Sequence, residues 1–130
     1  MHEDFTALHV SVEEDREYWL VGFADAEFNP KQYVILQRGR HPSALDTELG
    51  LDGYHVEAGD QHRSCYGGIA TLTLERDRVM IEFDDDGVSA LGGDKTMVIG
   101  LELRQRQLQQ LASCLSHIFA DSGCYVDDTA

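Results

Sequence analysis

Residues 68–83 read GIATLTLERDRVMIEF, and the way this stretch alternates decides the fold class. Two apolar and β-branched runs, Gly68–Glu75 and Arg78–Phe83, flank the polar pair Arg76-Asp77. Side chains on a strand point alternately to opposite faces, so this pattern predicts a hairpin with a tight turn at Arg76-Asp77. Just upstream, Tyr66-Gly67-Gly68 opens a strand rather than a helix and lacks a Lys, unlike a phosphate-binding loop. Paired glycines there fit a sharp turn or bulge, where positive φ costs little.

Downstream of the hairpin, Asp84-Asp85-Asp86 precedes Gly87–Leu91, read as one short helical turn, before Gly92-Gly93-Asp94 interrupts the chain. In Thr96–Leu103, the residues Met97, Ile99, Leu101 and Leu103 fall on one side, as in another strand. From Arg104 to Ala120, Leu108, Leu111, Ala112, Leu115, Ile118 and Phe119 recur at spacings of about three and four. That stripe predicts an amphipathic helix, with Gln105, Arg106, Gln109, Gln110 and Ser113 on its outer face.

Upstream, Tyr18–Ala24 (YWLVGFA) and Tyr33–Gln37 (YVILQ) are nearly continuous apolar runs, as expected of central strands. A loop with Asn29-Pro30 separates them. Leu8, Val10 and Val12 alternate with polar residues and read as the buried side of a first strand, followed by a charged turn at Glu14–Glu17. Between Gly39 and Ser64 the pattern dissolves into polar and turn-forming residues, with one strand at Tyr54–Glu57. Long connections of this kind often carry function, and as often are plain surface loops. The expected architecture is α+β: a mostly antiparallel sheet with a C-terminal amphipathic helix packed on one face, forming a single domain over residues 1–130.

Charge narrows the partners. The chain has 24 acidic and 10 basic residues, a formal net charge of -14. Phosphate recognition depends on Lys and Arg releasing counterions, so nucleic acid is not expected as a partner, nor is an anionic membrane surface. A basic protein is the natural complement, and an acidity that serves solubility alone fits the same composition. The opening MHEDFTALHV is charged where a secretory signal would need an apolar run of about 7 to 15 residues. Cys65, Cys114 and Cys124 leave at least one thiol unpaired, which fits a reducing compartment and makes the cytoplasm the expected location.

Motifs for chemistry are sparse. His62 and Cys65 form one ligand-like pair near His55, with no second pair to complete a tetrahedral zinc site. No nucleophile turn surrounds Cys65, and Cys114 on the helix reads as a packing residue. Neither a metal, a cofactor nor a catalytic residue is expected. The acidic run Asp84, Asp85 and Asp86 lacks the alternating carboxylates of a calcium loop and can be read as a solvated cap or as a docking patch. Together with Tyr54, Glu57, Asp60 and Tyr66, it makes up the candidate partner-binding set, aromatic residues supplying contact area and carboxylates meeting cations, while a Tyr at the edge of the core fits the two tyrosines equally.

Several blocks taken in order, YVILQR (33–38), LGLDGYHVEAGDQHRSCYGGI (49–69), TLTLERDRVMIEFDDDGVSALGG (71–93) and the closing SHIFA (116–120), resemble the immunity protein family numbered ten of bacterial polymorphic toxin systems. The resemblance implies an antidote that binds a cognate toxin and blocks it. It leaves out the first 30 residues and names no contact residues. The alternative expectation is a small-molecule binding or catalytic domain, with an apolar pocket between the sheet and the loop 39–64.

Overall fold

A computed structural model describes residues 3–130 and arranges them as two five-stranded sheets and three helices. The strands are β1 (Phe5–Ala7), β2 (His9–Glu14), β3 (Tyr18–Ala24), β4 (Tyr33–Gly39), β5 (His55–Ala58), β6 (Ser64–Tyr66), β7 (Ile69–Glu75), β8 (Arg78–Phe83), β9 (Thr96–Leu101) and β10 (Tyr125–Asp128). The helices are α1 (Ala44–Glu48), α2 (Asp85–Leu91) and α3 (Gln105–Ile118). One sheet is a meander in chain order, β2-β3-β4-β5-β6; the other has the order β1-β9-β8-β7-β10.

The α+β class, the antiparallel majority and the C-terminal helix all match expectation. The expected single sheet is two. The hairpin supplies the centre of the second sheet: β7 and β8 pair with Leu74 opposite Val79 and Leu72 opposite Ile81, leaving Arg76-Asp77 as the turn. Strands β1 and β10 close its edges by parallel pairing to β9 and β7. Parallel neighbours come from distant parts of the chain, so a local pattern does not announce them.

Register explains which side chains reach the core. In the meander Val10 faces Phe23, Val12 faces Val21, and Val34 and Leu36 face Ala58 and Val56. Because successive residues alternate faces, this register puts Val21, Phe23, Val34, Leu36 and Val56 inward, all fully buried. From the second sheet, Leu72, Leu74, Val79, Ile81 and Ile99 join them, and α3 contributes Leu108, Leu111, Cys114, Leu115 and Ile118 to the same cluster. Leu8 breaks the predicted alternation. It lies between β1 and β2 and is exposed, because pairing with β3 begins only at His9.

Two close fits fix the joints. Asp15 accepts from the backbone N–H groups of Glu17 and Tyr18, which makes the charged turn between β2 and β3 and holds its carboxyl below the usual range. Gly67 and Gly68 both have positive φ, and a Cβ on Gly87 would overlap the Gly68 carbonyl. The glycine pair before β7 is thus a turn against which α2 rests on bare backbone.

Candidate partner-binding surface

The acidic run forms the start of α2. Asp84 is its N-cap, accepting from the Gly87 N–H at 2.8 Å, while Asp85 and Asp86 occupy the first turn. Carboxylates there meet the positive end of the helix dipole, so this run has a local structural cause. Asp85 and Asp86 remain exposed.

The four other members of the candidate set divide. Tyr54 is only 9% exposed; its hydroxyl accepts from the Ile69 N–H at 3.1 Å and lies 3.3 Å from the Ile69 carbonyl oxygen. Its ring meets Phe119 edge-on at 4.7 Å, and burial pushes its pKa up to about 12. Tyr54 is therefore a core residue and presents almost no surface to a partner. Glu57 lies on the outer face of the meander and accepts from the Tyr33 hydroxyl at 2.6 Å, which raises the Tyr33 pKa to about 12. Asp60 is exposed in the β5–β6 turn, where it accepts from the His62 N–H. Tyr66, 46% exposed, packs edge-on to His55 at 4.9 Å.

The histidine and cysteine group is not drawn together. His55 meets Tyr66 edge-on, and Cys65 lies opposite Val56, its thiol pushed up by burial. Among the described residues no three His, Cys, Asp or Glu side chains group as metal ligands do.

The region 39–64, read from sequence as irregular apart from Tyr54–Glu57, carries α1 and part of a cleft. The cleft, of about 340 Å³, lies between the Gly39–Gly53 segment and the end of the meander. Glu17, Arg38, His41, Asp46, Asp52 and His55 are in its wall, with Pro42 and Leu51 as apolar members. The lining is mainly polar, where the small-molecule reading expects an apolar interior. Arg38 is already engaged, pairing with Asp121 through two bonds of 2.6 and 2.9 Å and donating to the Ile118 carbonyl.

Helix α1 is the feature that periodicity missed. Ser43 accepts from the Asp46 N–H at 3.0 Å and Asp46 accepts from the Ser43 N–H at 2.9 Å, a closed capping box. The helix buries none of its residues. Leu45, Leu49 and Leu51 stand 61, 60 and 39% exposed. The readable signal was Ser-x-x-Asp after Pro42; five residues are too few for an apolar period to register.

Few of the chain's carboxylates are paired with a cation. Among the described residues, ion pairs join only Arg38 to Asp121 and Arg78 to Glu75 and Asp77. Several other cations are held locally: Arg40 lies 4.4 Å over the Trp19 ring, Arg63 donates to the Leu91 carbonyl, and Arg76 to that of Thr129. Most of the 24 carboxylates face solvent or a backbone N–H without a cation.

A family model described as Immunity protein 10 matches residues 5–109. Comparison with curated proteins and with solved structures found no match. The matched span takes in β1 to β4, so the first 30 residues, outside the blocks recognised from sequence, lie largely within the family region. It stops inside α3, short of the SHIFA block. With 5–109 of 130 residues matched, the chain belongs to the Immunity protein 10 family.

Proposed function

We propose that this chain acts in the cytoplasm as an antidote: it binds a cognate protein toxin through an acidic surface and neutralises it without catalysis, cofactor, nucleic acid or membrane. The observation that carries this reading is the family match over residues 5–109. The net charge of -14, left mostly unpaired by salt bridges, supplies the physical means. A toxin that acts on an anionic substrate has a cationic binding surface. Carboxylates on a rigid scaffold are attracted to that surface and occupy it, which excludes the substrate.

Such an interface would bury about 1,200 to 2,000 Å² in total. Electrostatic attraction acts on the encounter, so it belongs to the association rate rather than to residence time. The test is stopped-flow association of this chain with its cognate toxin domain over a range of salt. The expected result is a rate that falls by about tenfold or more from low to high ionic strength, since steering is lost as the Debye length shrinks. A rate indifferent to salt would contradict the acidic-surface mechanism.

A further inference from the structure

Exposed apolar side chains are scattered over most protein surfaces and need no explanation singly; a group on one ordered segment does. Leu8, Phe28 and Val126 are exposed on three separate segments, whereas Leu45, Leu49 and Leu51 fall within residues 45–51. Leu45 lies in α1 and Leu49, one helical turn on, is its C-cap, so the two fall on the same side. Leu51 follows at the wall of the cleft, where Tyr66 also lies.

This ridge is ordered by backbone and capping bonds rather than by burial. The capping box starts α1, the Leu49 N–H donates to the Leu45 carbonyl at 3.0 Å, and the Leu51 N–H donates to the Asp46 carbonyl at 2.8 Å. Gly50, at φ 74, makes the turn that this last bond requires. A segment whose shape is set before it meets anything loses little conformational freedom on binding.

Its charge names the occupant. Residues 43–53 hold Asp46, Glu48 and Asp52 and contain no Lys or Arg. We infer that the leucine ridge of residues 45–51, with Tyr66 at its flank, is the face that docks the toxin, its occupant a toxin surface with an apolar centre ringed by Lys and Arg. The inference rests on the antidote reading and adds to it a location. The leucines supply the desolvated centre and the carboxylates the rim, the division seen where a few central residues carry most of the affinity. Asp84–Asp86, by contrast, start α2 and stand outside this ridge.

The test uses the full chain and the purified toxin domain encoded beside its gene, with affinity measured by calorimetry and folding by thermal melting. Wild-type chain is compared with the double variant Leu45→Ser, Leu49→Ser and with the control Asp85→Asn, Asp86→Asn. The inference expects the leucine variant to melt like wild type and to lose at least about tenfold in Kd, with the control losing less. Wild-type affinity retained by the leucine variant overturns the docking face and leaves the antidote reading standing. Absence of binding by the wild-type chain overturns both. A wild-type dimer that the leucine variant abolishes, with toxin affinity unchanged, assigns the ridge to a second copy of the chain and overturns the inference.

Discussion

Helices α3 and α1 both open with a side chain closing on the first turn: Gln107 accepts from the Arg104 N–H in one, Asp46 from the Ser43 N–H in the other. Their fates differ. Helix α3 has 14 residues and sends Leu108, Leu111, Cys114, Leu115 and Ile118 into the core; α1 has 5 and buries none. The amphipathic stripe of α3 is satisfied within the chain. Leu45 of α1 and Leu49 at its C-cap are not, so what they can gain lies outside it. If the leucine ridge docks the toxin, fold and function sit on separate helices, and a change in one should leave the other nearly untouched.

The largest expected effect comes from breaking the buried side of that comparison. Leu115 is fully buried, so Leu115→Ala should destabilise by about 2–5 kcal/mol through lost transfer energy and the cavity left behind. Leu45→Ala, at an exposed position, should change stability by less than about 0.5 kcal/mol. Chemical denaturation of both variants checks this directly. Similar losses at the two sites would mean that α1 packs in the folded molecule after all.

A smaller effect sharpens the tie between α3 and the meander. Arg38 of β4 clamps Asp121 just beyond the helix, and that bond holds the Asp121 carboxyl below its usual 3.8. A depressed carboxylate contributes stability that is fully present above its unfolded pKa and lost as pH falls through the folded value. Asp121 is 72% exposed, so solvent screening limits the pair to at most about 1 kcal/mol. Asp121→Asn should therefore lower the urea midpoint slightly at neutral pH, with the gap to wild type closing below about pH 4. A gap that stays constant down to low pH would place the effect elsewhere.

Much of the fold was legible because its pattern was local. The hairpin β7–β8, the runs that became β3 and β4, and the stripe of α3 all announce themselves within about 5 to 17 residues. The division into two sheets was not legible. It depends on β1 joining β9, with Phe5 opposite Ile99, and β10 joining β7, with Tyr125 opposite Leu72, pairings between distant segments that involve strands of three and four residues. Leu8 shows the same limit: its sequence alternates with Val10 and Val12, but register against β3 starts one residue later.

The candidate surface was legible in its chemistry and less so in its residues. Surplus carboxylate is a property of composition and needed no coordinates. Tyr54 flanks the acidic loop in sequence and fits a contact residue or a Tyr at the edge of the core; its hydroxyl finds the Ile69 backbone and its ring finds Phe119. Asp84–Asp86 fitted a solvated cap or a docking patch, and Asp84 caps α2 while Asp85 and Asp86 stand exposed in its first turn. The exposure of Leu45 and Leu49 is not legible in the sequence, since only the fold shows that the described residues leave them uncovered.

Backbone amide hydrogen exchange, read residue by residue with and without the cognate toxin domain, tests the division of labour most directly. In the free chain β3, β4, β7, β8 and α3 should exchange slowly and residues 43–53 fast, because buried ladders open only with global unfolding while an unburied turn opens locally. Toxin should slow exchange chiefly across 43–53. Protection gained over Asp84–Asp86 or the outer face of a sheet, with 43–53 unchanged, would contradict the account.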